Sequence, residues 1–171
     1  MPDHSPSTRT WPWFVVAGVV FVLDHITKWW ASQSLDYGRP VEILPVFDLM
    51  LVHNRGAAFS FLSDAGGWQR WFFAVIAIGV SGWIVWWLRT LPAGKAFLAA
   101  GLALILGGAL GNLADRMVLG YVVDFISVHW EQHYFPAFNL ADSAITVGAG
   151  MMIIDSLFLD REAPPHADQA R

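Results

Sequence analysis

Four long apolar runs constrain this chain more than any other feature of its sequence. They lie at about 13–32, 69–88, 96–114 and 138–159, and each is near the ~20 residues that an α-helix needs to cross a bilayer. Hydrophobic residues make up 56% of the 171 residues and charged residues only 14%. The sequence therefore predicts an all-α membrane protein with four transmembrane helices.

The two longer connections between these runs, at about 33–68 and 115–137, have a different composition. Each contains a stretch rich in β-branched and aromatic residues, "VEILPVFDLMLV" in the first and "GYVVDFISVHW" in the second. Such stretches are typical of short strands. We expect a small β-sheet built from both connections, within a single integral membrane domain that covers residues 1–171.

Orientation in the membrane is indicated by the short turn "RTLPAGK" between the second and third runs. It carries Arg89 and Lys95, and short loops with Lys and Arg tend to stay in the cytoplasm. The turn and both chain termini are therefore expected on the cytoplasmic side. The two longer connections are then extracytoplasmic.

Two aspartates, Asp124 in "YVVDF" and Asp142 near the start of the fourth run, are predicted at the same membrane face. Two carboxylates in contact cannot both ionise at neutral pH, so they would share a proton. One could then activate a water while the other polarises a carbonyl. The alternative is that each acid only caps a helix or forms a local salt bridge. From spacing alone both interpretations stay open.

Polar and small residues inside the first and third runs have structural explanations. Asp24 and Lys28 stand four residues apart, which predicts an ion pair on one helix face, with Lys28 extending toward the membrane surface. Gly107 and Gly111 have the spacing of closely packed helices. Asn112 and Arg116 follow toward the outer face, where both could form helix-end hydrogen bonds.

Several classes of function can be weighed against the sequence. The chain has no cysteine, which excludes thiolate chemistry, and its net charge of −4 without a basic run gives no reason to expect nucleic-acid binding. Ser81 in "GVSG" is a weak candidate nucleophile because the later runs contain no histidine. His129 and His133 flank "WEQ" without the pattern of a zinc helix, so no metal site is predicted. A small transporter or channel subunit with intramembrane acids is the non-enzymatic alternative.

Five short segments, taken together, resemble the sequence boxes of lipoprotein signal peptidases, also called signal peptidase II. They occur in the order of that family and extend from the first run to the fourth: "DHITK" (24–28), "NRGAAFSFL" (54–62), "GGALGNLADR" (107–116), "VVDF" (122–125) and "FNLADSAI" (138–145). Any one box is a weak indication. Five in order on a chain with four apolar runs are specific.

The resemblance implies an aspartic endopeptidase of the bacterial inner membrane that cleaves diacylglyceryl-modified prolipoproteins before the lipidated cysteine. Asp124 and Asp142 occupy the positions of the family's catalytic pair. Membrane lipids and prolipoproteins are the expected partners, the protein is expected to be a monomer, and the mechanism requires no metal or organic cofactor. Around the pair, the resemblance implies supporting polar residues at Asn54, Asn112, Arg116 and Asn139.

Overall fold

The helices agree with the four apolar runs. The structure is a computed structural model that describes residues 10–56 and 67–159. Within them, a π-helical turn, Asp155–Leu159, continues the last helix, and all four helical segments are long and apolar enough to cross a membrane. The predicted four-helix membrane fold is confirmed. The helices are α1 (Trp11–Ser34), α2 (Trp68–Thr90), α3 (Ala96–Val118) and α4 (Leu140–Ile154).

Most helix bounds differ from the predicted ones by one to four residues, and two of these differences have identifiable reasons. The third run was predicted to stop at residue 114, but α3 continues to Val118 because Asp115 and Arg116 remain helical although they are charged. The fourth run was predicted from residue 138, whereas α4 begins at Leu140. Asn139 has extended backbone angles and caps the helix, so the segment before it cannot be helical.

The predicted sheet is present and joins the two long connections. Strands β1 (Val41–Leu44), β2 (Phe47–Asn54), β3 (Val122–Trp130) and β4 (His133–Tyr134) form an antiparallel sheet in chain order. Pairing of β2 with β3 sets Val52 opposite Asp124 and Asn54 opposite Val122. The sheet therefore brings Asn54, from the first connection, beside the aspartate of the second.

Helix α3 is the centre of the bundle and packs against each of the other three helices. Its apolar segment is 56% buried within the protein, against 11–22% for the other helices. A Cβ atom added at Gly107 would lie 2.5 Å from the Ala17 carbonyl oxygen, and one at Gly111 would lie 2.5 Å from Asp24 Oδ2. Both glycines thus allow α1 to approach α3 closely, which confirms the packing predicted from their spacing.

The end of the bundle that carries the sheet, called here the sheet end, is where α1 and α3 end and where α2 and α4 begin. A tight turn connects α3 to β3 there. The backbone N–H groups of Leu119 and Gly120 both donate to the Asp115 carbonyl, at 2.7 and 3.2 Å. Gly120 has φ +85°, a left-handed conformation that favours glycine after a helix. This turn directs β3 back over the bundle.

Candidate active site

Asp124 lies on β3 and is 1% exposed. Its carboxylate accepts two side-chain hydrogen bonds, from Asn54 Nδ2 to Oδ2 at 3.0 Å and from Asn139 Nδ2 to Oδ1 at 2.7 Å. Burial raises the pKa of Asp124 to about 7, and the nearby charge of Asp142 acts in the same direction, while the two amide hydrogen bonds oppose the rise. A carboxylic acid that titrates near neutral pH is suited to proton transfer.

Asp142 lies in the first turn of α4 and belongs to a capping box. Its backbone N–H donates to Asn139 Oδ1 at 2.9 Å, and its Oδ2 accepts from the Asn139 backbone N–H at 3.3 Å. Asn112 Nδ2 on α3 donates to its other oxygen, Oδ1, at 2.7 Å. The capping interpretation is thus correct for Asp142, but it covers only one of the two carboxylate oxygens.

Asn139 connects the two aspartates directly. It is fully buried, and its backbone N–H binds Asp142 while its side-chain amide binds Asp124. The same Nδ2 is 3.2 Å from Asn112 Oδ1. Two segments 18 residues apart in the chain therefore place their carboxylates around one asparagine.

Arg116 is held beside this group by backbone carbonyls. Its Nη1 is 3.2 Å from the Asn112 carbonyl oxygen, and its Nη2 is 3.4 Å from that of Gly56. The guanidinium also lies 5.2 Å from the centre of the Phe73 ring. These contacts fix a positive charge at the border between α3 and the end of β2.

A cavity of about 510 Å³ opens beside these residues. It is lined by Asp142, Asn112, Asn54 and Arg116, whereas Asp124 is buried and is not among the lining residues. The remaining wall is largely apolar, with Val122, Phe135, Pro136, Phe138, Ile145 and Val147. The accessible carboxylate of Asp142 therefore lies next to an apolar surface, which α4 and the segment before it form.

The predicted ion pair of α1 is present, but the predicted direction of Lys28 is wrong. Lys28 is 3% exposed and does not extend toward the membrane surface. Its Nζ lies 2.7 Å from Asp24 Oδ2 and 2.9 Å from Asp115 Oδ2. The ammonium turns inward because α3 supplies Asp115, an acid that the spacing within α1 could not reveal. Asp24, Lys28 and Asp115 form what we call the lysine cluster.

Asp115 is the residue that the sequence reasoning missed. It is 5% exposed, and its Oδ2 also accepts from the Val123 backbone N–H at 3.2 Å, one residue before Asp124. A signal was present in the sequence, since Asp115 stands three residues after Asn112 and therefore on the same helix face. Asp24 makes a comparable link, because its Oδ1 accepts from the Ala141 backbone N–H at 3.0 Å.

The other candidates do not join the aspartates. Ser81 is buried within α2, and its hydroxyl has no hydrogen-bond partner in the described part of the chain. His129 lies on the sheet, 3.3 Å from Asp48 and stacked on Tyr134. No group of three potential metal ligands occurs within residues 10–56 and 67–159. In the box "NRGAAFSFL", residues 57–62 lie outside the described residues.

This chain is similar to known proteins both in sequence and in fold. A family model described as signal peptidase (SPase) II matches residues 16–158. The lipoprotein signal peptidase of Pseudomonas aeruginosa is 55% identical over 157 residues, covering 91% of this chain and 92% of the relative. That of Acinetobacter baumannii is 54% identical over 156 residues, covering 91% and 89%. A solved bacterial membrane enzyme superposes with a TM-score of 0.77 at 30% identity, covering 91% of this chain and 94% of the other.

Proposed function

This chain belongs to the signal peptidase II family, and we propose that Asp124 and Asp142 are its catalytic pair. Membership makes it a multi-pass membrane endopeptidase of the aspartic type that acts as a lipoprotein signal peptidase. The transporter alternative is therefore abandoned. The observation that carries the two-aspartate proposal is the single buried asparagine, Asn139, that binds both carboxylates.

The two carboxylates have unequal surroundings, which supports unequal roles. Asp124 is buried and its pKa is raised to about 7, so it carries the shared proton at neutral pH. Asp142 is less buried than Asp124 and lines the cavity next to Arg116, so it can contact a water there. Asp142 is therefore the base, and Asp124 is the acid.

In the first step, a water in the cavity loses a proton to Asp142 as its oxygen bonds to the scissile carbonyl carbon. Asp124 gives its proton to the carbonyl oxygen, and a neutral tetrahedral diol forms. In the second step, the carbon–nitrogen bond breaks, and the departing amine takes the proton that Asp142 received. A diol hydroxyl returns a proton to Asp124 as the new acid forms, so the pair regains its starting state.

The substrate side of the proposal is supported by the cavity wall. The side chains Phe135, Phe138, Ile145 and Val147 give the cavity an apolar surface next to Asp142, which suits a lipid-modified peptide better than a soluble one. The enzyme then cuts a diacylglyceryl-modified prolipoprotein before its lipidated cysteine. The acyl chains hold the scissile amide at the depth of the pair, and such positioning is a large part of catalysis.

The charges of the turn between α2 and α3 support a position for the aspartate pair relative to the membrane. Arg89 and Lys95 flank the turn between α2 and α3, at the opposite end of the bundle from the sheet, and positive charges favour the cytoplasmic side. The sheet end and the aspartates then face the extracytoplasmic side of the bacterial inner membrane, with both termini in the cytoplasm. The enzyme is proposed to work as a monomer.

Product mapping tests the proposed function. The purified protein in lipid nanodiscs is incubated with one prolipoprotein in diacylglyceryl-modified and unmodified forms, and the products are sequenced by mass spectrometry. We expect a single cut before the modified cysteine and cleavage of the unmodified form at least about a hundredfold slower. Equal rates for the two forms, or a cut elsewhere, would contradict the proposal.

A further inference from the structure

The ammonium group of Lys28 has a third partner besides the two carboxylates of the lysine cluster. Its Nζ donates to Asn112 Oδ1 at 2.9 Å. This hydrogen bond joins α1 to α3 in a buried environment. Asn112 in turn donates to Asp142, so a chain of two contacts leads from Lys28 to the proposed base.

The chemistry of lysine fixes which way the Asn112 amide can point. An ammonium group has three donors and no acceptor, whereas an asparagine amide has an acceptor oxygen at one end and a donor nitrogen at the other. The end of Asn112 that faces Lys28 must therefore be Oδ1. The same oxygen is 3.2 Å from Asn139 Nδ2, a second donor. Only Nδ2 is left to face Asp142, where it lies 2.7 Å from Oδ1.

We propose that Lys28 is a positioning residue whose donor group sets the polarity of the Asn112 amide, so that Asp142 always receives an N–H donor. This inference rests on the proposed function, because it assigns a purpose to the protonation state of Asp142. A donor to the carboxylate stabilises the ionised form, which a base requires. A flipped amide would present its oxygen to Asp142 and stabilise the protonated form instead.

The Asn139 amide supports the proposal because it is oriented in the same way, with its oxygen toward a donor and its nitrogen toward an aspartate. Its Oδ1 accepts from the Asp142 backbone N–H at 2.9 Å, which leaves Nδ2 for Asp124. A backbone N–H cannot accept, so this amide needs no further group to orient it. Asn112 has no backbone N–H at its Oδ1 among the described contacts, and Lys28 supplies the missing strong donor.

Other charged groups lie near Asp142, and a test must distinguish their effects from that of the Asn112 amide. Within the described residues, they are Asp24 and Lys28 from α1, Asp115 and Arg116 from α3, and Asp124 from β3. Removing the Lys28 charge changes the field at the pair as well as the amide. A test must therefore separate the donor from the charge.

Lys28→Gln and Lys28→Met make that separation, because glutamine keeps an N–H donor without the charge and methionine keeps neither. The measurement is the pH dependence of kcat for a lipidated substrate in nanodiscs. Asn112→Leu removes the donor to Asp142 directly and should move the acidic limb up by about one pH unit. Lys28→Met should move it by a similar amount, and Lys28→Gln should leave it within about 0.3 unit of wild type. Lys95→Met, at the other end of the bundle, is the matched control and should not move it.

The double variant Lys28→Met/Asn112→Leu decides whether Lys28 acts through Asn112. If it does, the limb of the double variant lies where that of Asn112→Leu lies, because the amide that Lys28 orients is already gone. Additive shifts would overturn the inference, since they mean that Lys28 acts by charge or by general stability. A shift in Lys28→Gln as large as that of Asn112→Leu would overturn it too, and this arm remains available if the methionine variant does not fold. Failure of the proposed function would appear separately, as activity in Asp142→Asn.

Discussion

Two pairs of carboxylates lie at the sheet end of this protein, and the groups that contact them differ. Asp24 and Asp115 have an ammonium group between them, with Lys28 Nζ 2.7 and 2.9 Å from their oxygens. Asp124 and Asp142 have the neutral amides of Asn54, Asn112 and Asn139. The first pair is held by a cation, while the second pair is held by groups that carry no charge.

The difference teaches what each pair can do with a proton. A cation between two carboxylates offsets their mutual repulsion, and the resulting cluster links α1 to α3 and to the start of α4. Without a cation in direct contact, repulsion between two carboxylates raises the pKa of one of them. Burial and the nearby charge of Asp142 both raise the pKa of Asp124. Under the proposed mechanism, the same residue type serves structure in one pair and acid–base chemistry in the other.

The largest effect on activity is expected at the second pair, Asp124 and Asp142, and it tests whether the two pairs differ in role. Asp124→Asn and Asp142→Asn keep the shape of the side chain but cannot exchange the shared proton. Each should lower kcat for a lipidated prolipoprotein by at least about 10²–10⁴-fold, while the protein stays folded in the membrane. Asp155→Asn is the matched control, because Asp155 is a buried aspartate on the same helical segment as Asp142 but lies at the other end, 3.6 Å from Lys95. Near wild-type turnover by Asp124→Asn or by Asp142→Asn would refute the assignment of the catalytic pair.

A smaller loss is expected when the bridge between the two aspartates is cut. Asn139→Ser keeps a good helix cap for Asp142 but loses the amide that reaches Asp124. Activity should fall by about 10- to 100-fold, because the buried Asp124 carboxyl loses a hydrogen-bond partner, with little change in the unfolding temperature. Initial rates and differential scanning fluorimetry on the same preparation check both parts. Activity close to that of wild type would show that Asn139 serves only as a helix cap, a role that serine also fills.

The same aspartate-to-asparagine change in the lysine cluster should act mainly on stability. Asp24→Asn keeps an acceptor for the Ala141 N–H, and Lys28 keeps Asp115 as its counter-ion. We expect a loss of about 1–3 kcal/mol in unfolding free energy and a fall in activity of less than about tenfold. Reversible unfolding in mixed micelles, followed by tryptophan fluorescence, measures the first quantity. Loss of activity as complete as in Asp142→Asn would erase the distinction between the two pairs.

The smallest effect is expected at Ser81. Its hydroxyl is buried in α2 without a hydrogen-bond partner among the described residues, so Ser81→Ala removes a group that gains nothing from burial. Activity should stay within about twofold of wild type, and the unfolding temperature should be unchanged or slightly higher. A folded but inactive Ser81→Ala protein would revive the serine nucleophile.

The sequence predicted the fold well because length and hydropathy determine it. Four runs of about twenty apolar residues leave helices as the natural way to satisfy the backbone in lipid, and the β-branched stretches predicted the sheet. The family boxes selected the polar residues that meet around Asn139. Roles within the site remained out of reach, because they depend on contacts between elements.

Lys28 shows why the rest could not be predicted. The spacing of Asp24 and Lys28 within α1 predicted their ion pair, but it does not tell whether the pair faces lipid or protein. That direction depends on Asp115 and on Gly111, whose missing side chain leaves room for Asp24. Both belong to α3, more than eighty residues later in the chain. Only the packing of the two helices reveals that the lysine is buried.

The most direct test of the shared proton is the pH dependence of kcat/KM for wild type with a lipidated substrate. Asp124 has its pKa raised to about 7, so the pair holds its proton below that pH and loses it as the pH rises. At low pH both acids are protonated and no base remains. The account predicts a bell-shaped profile whose alkaline limb falls near pH 7, with apparent pKa values that belong to the pair. A rate that stays constant or increases as the pH rises through 7 to about 9 would contradict it.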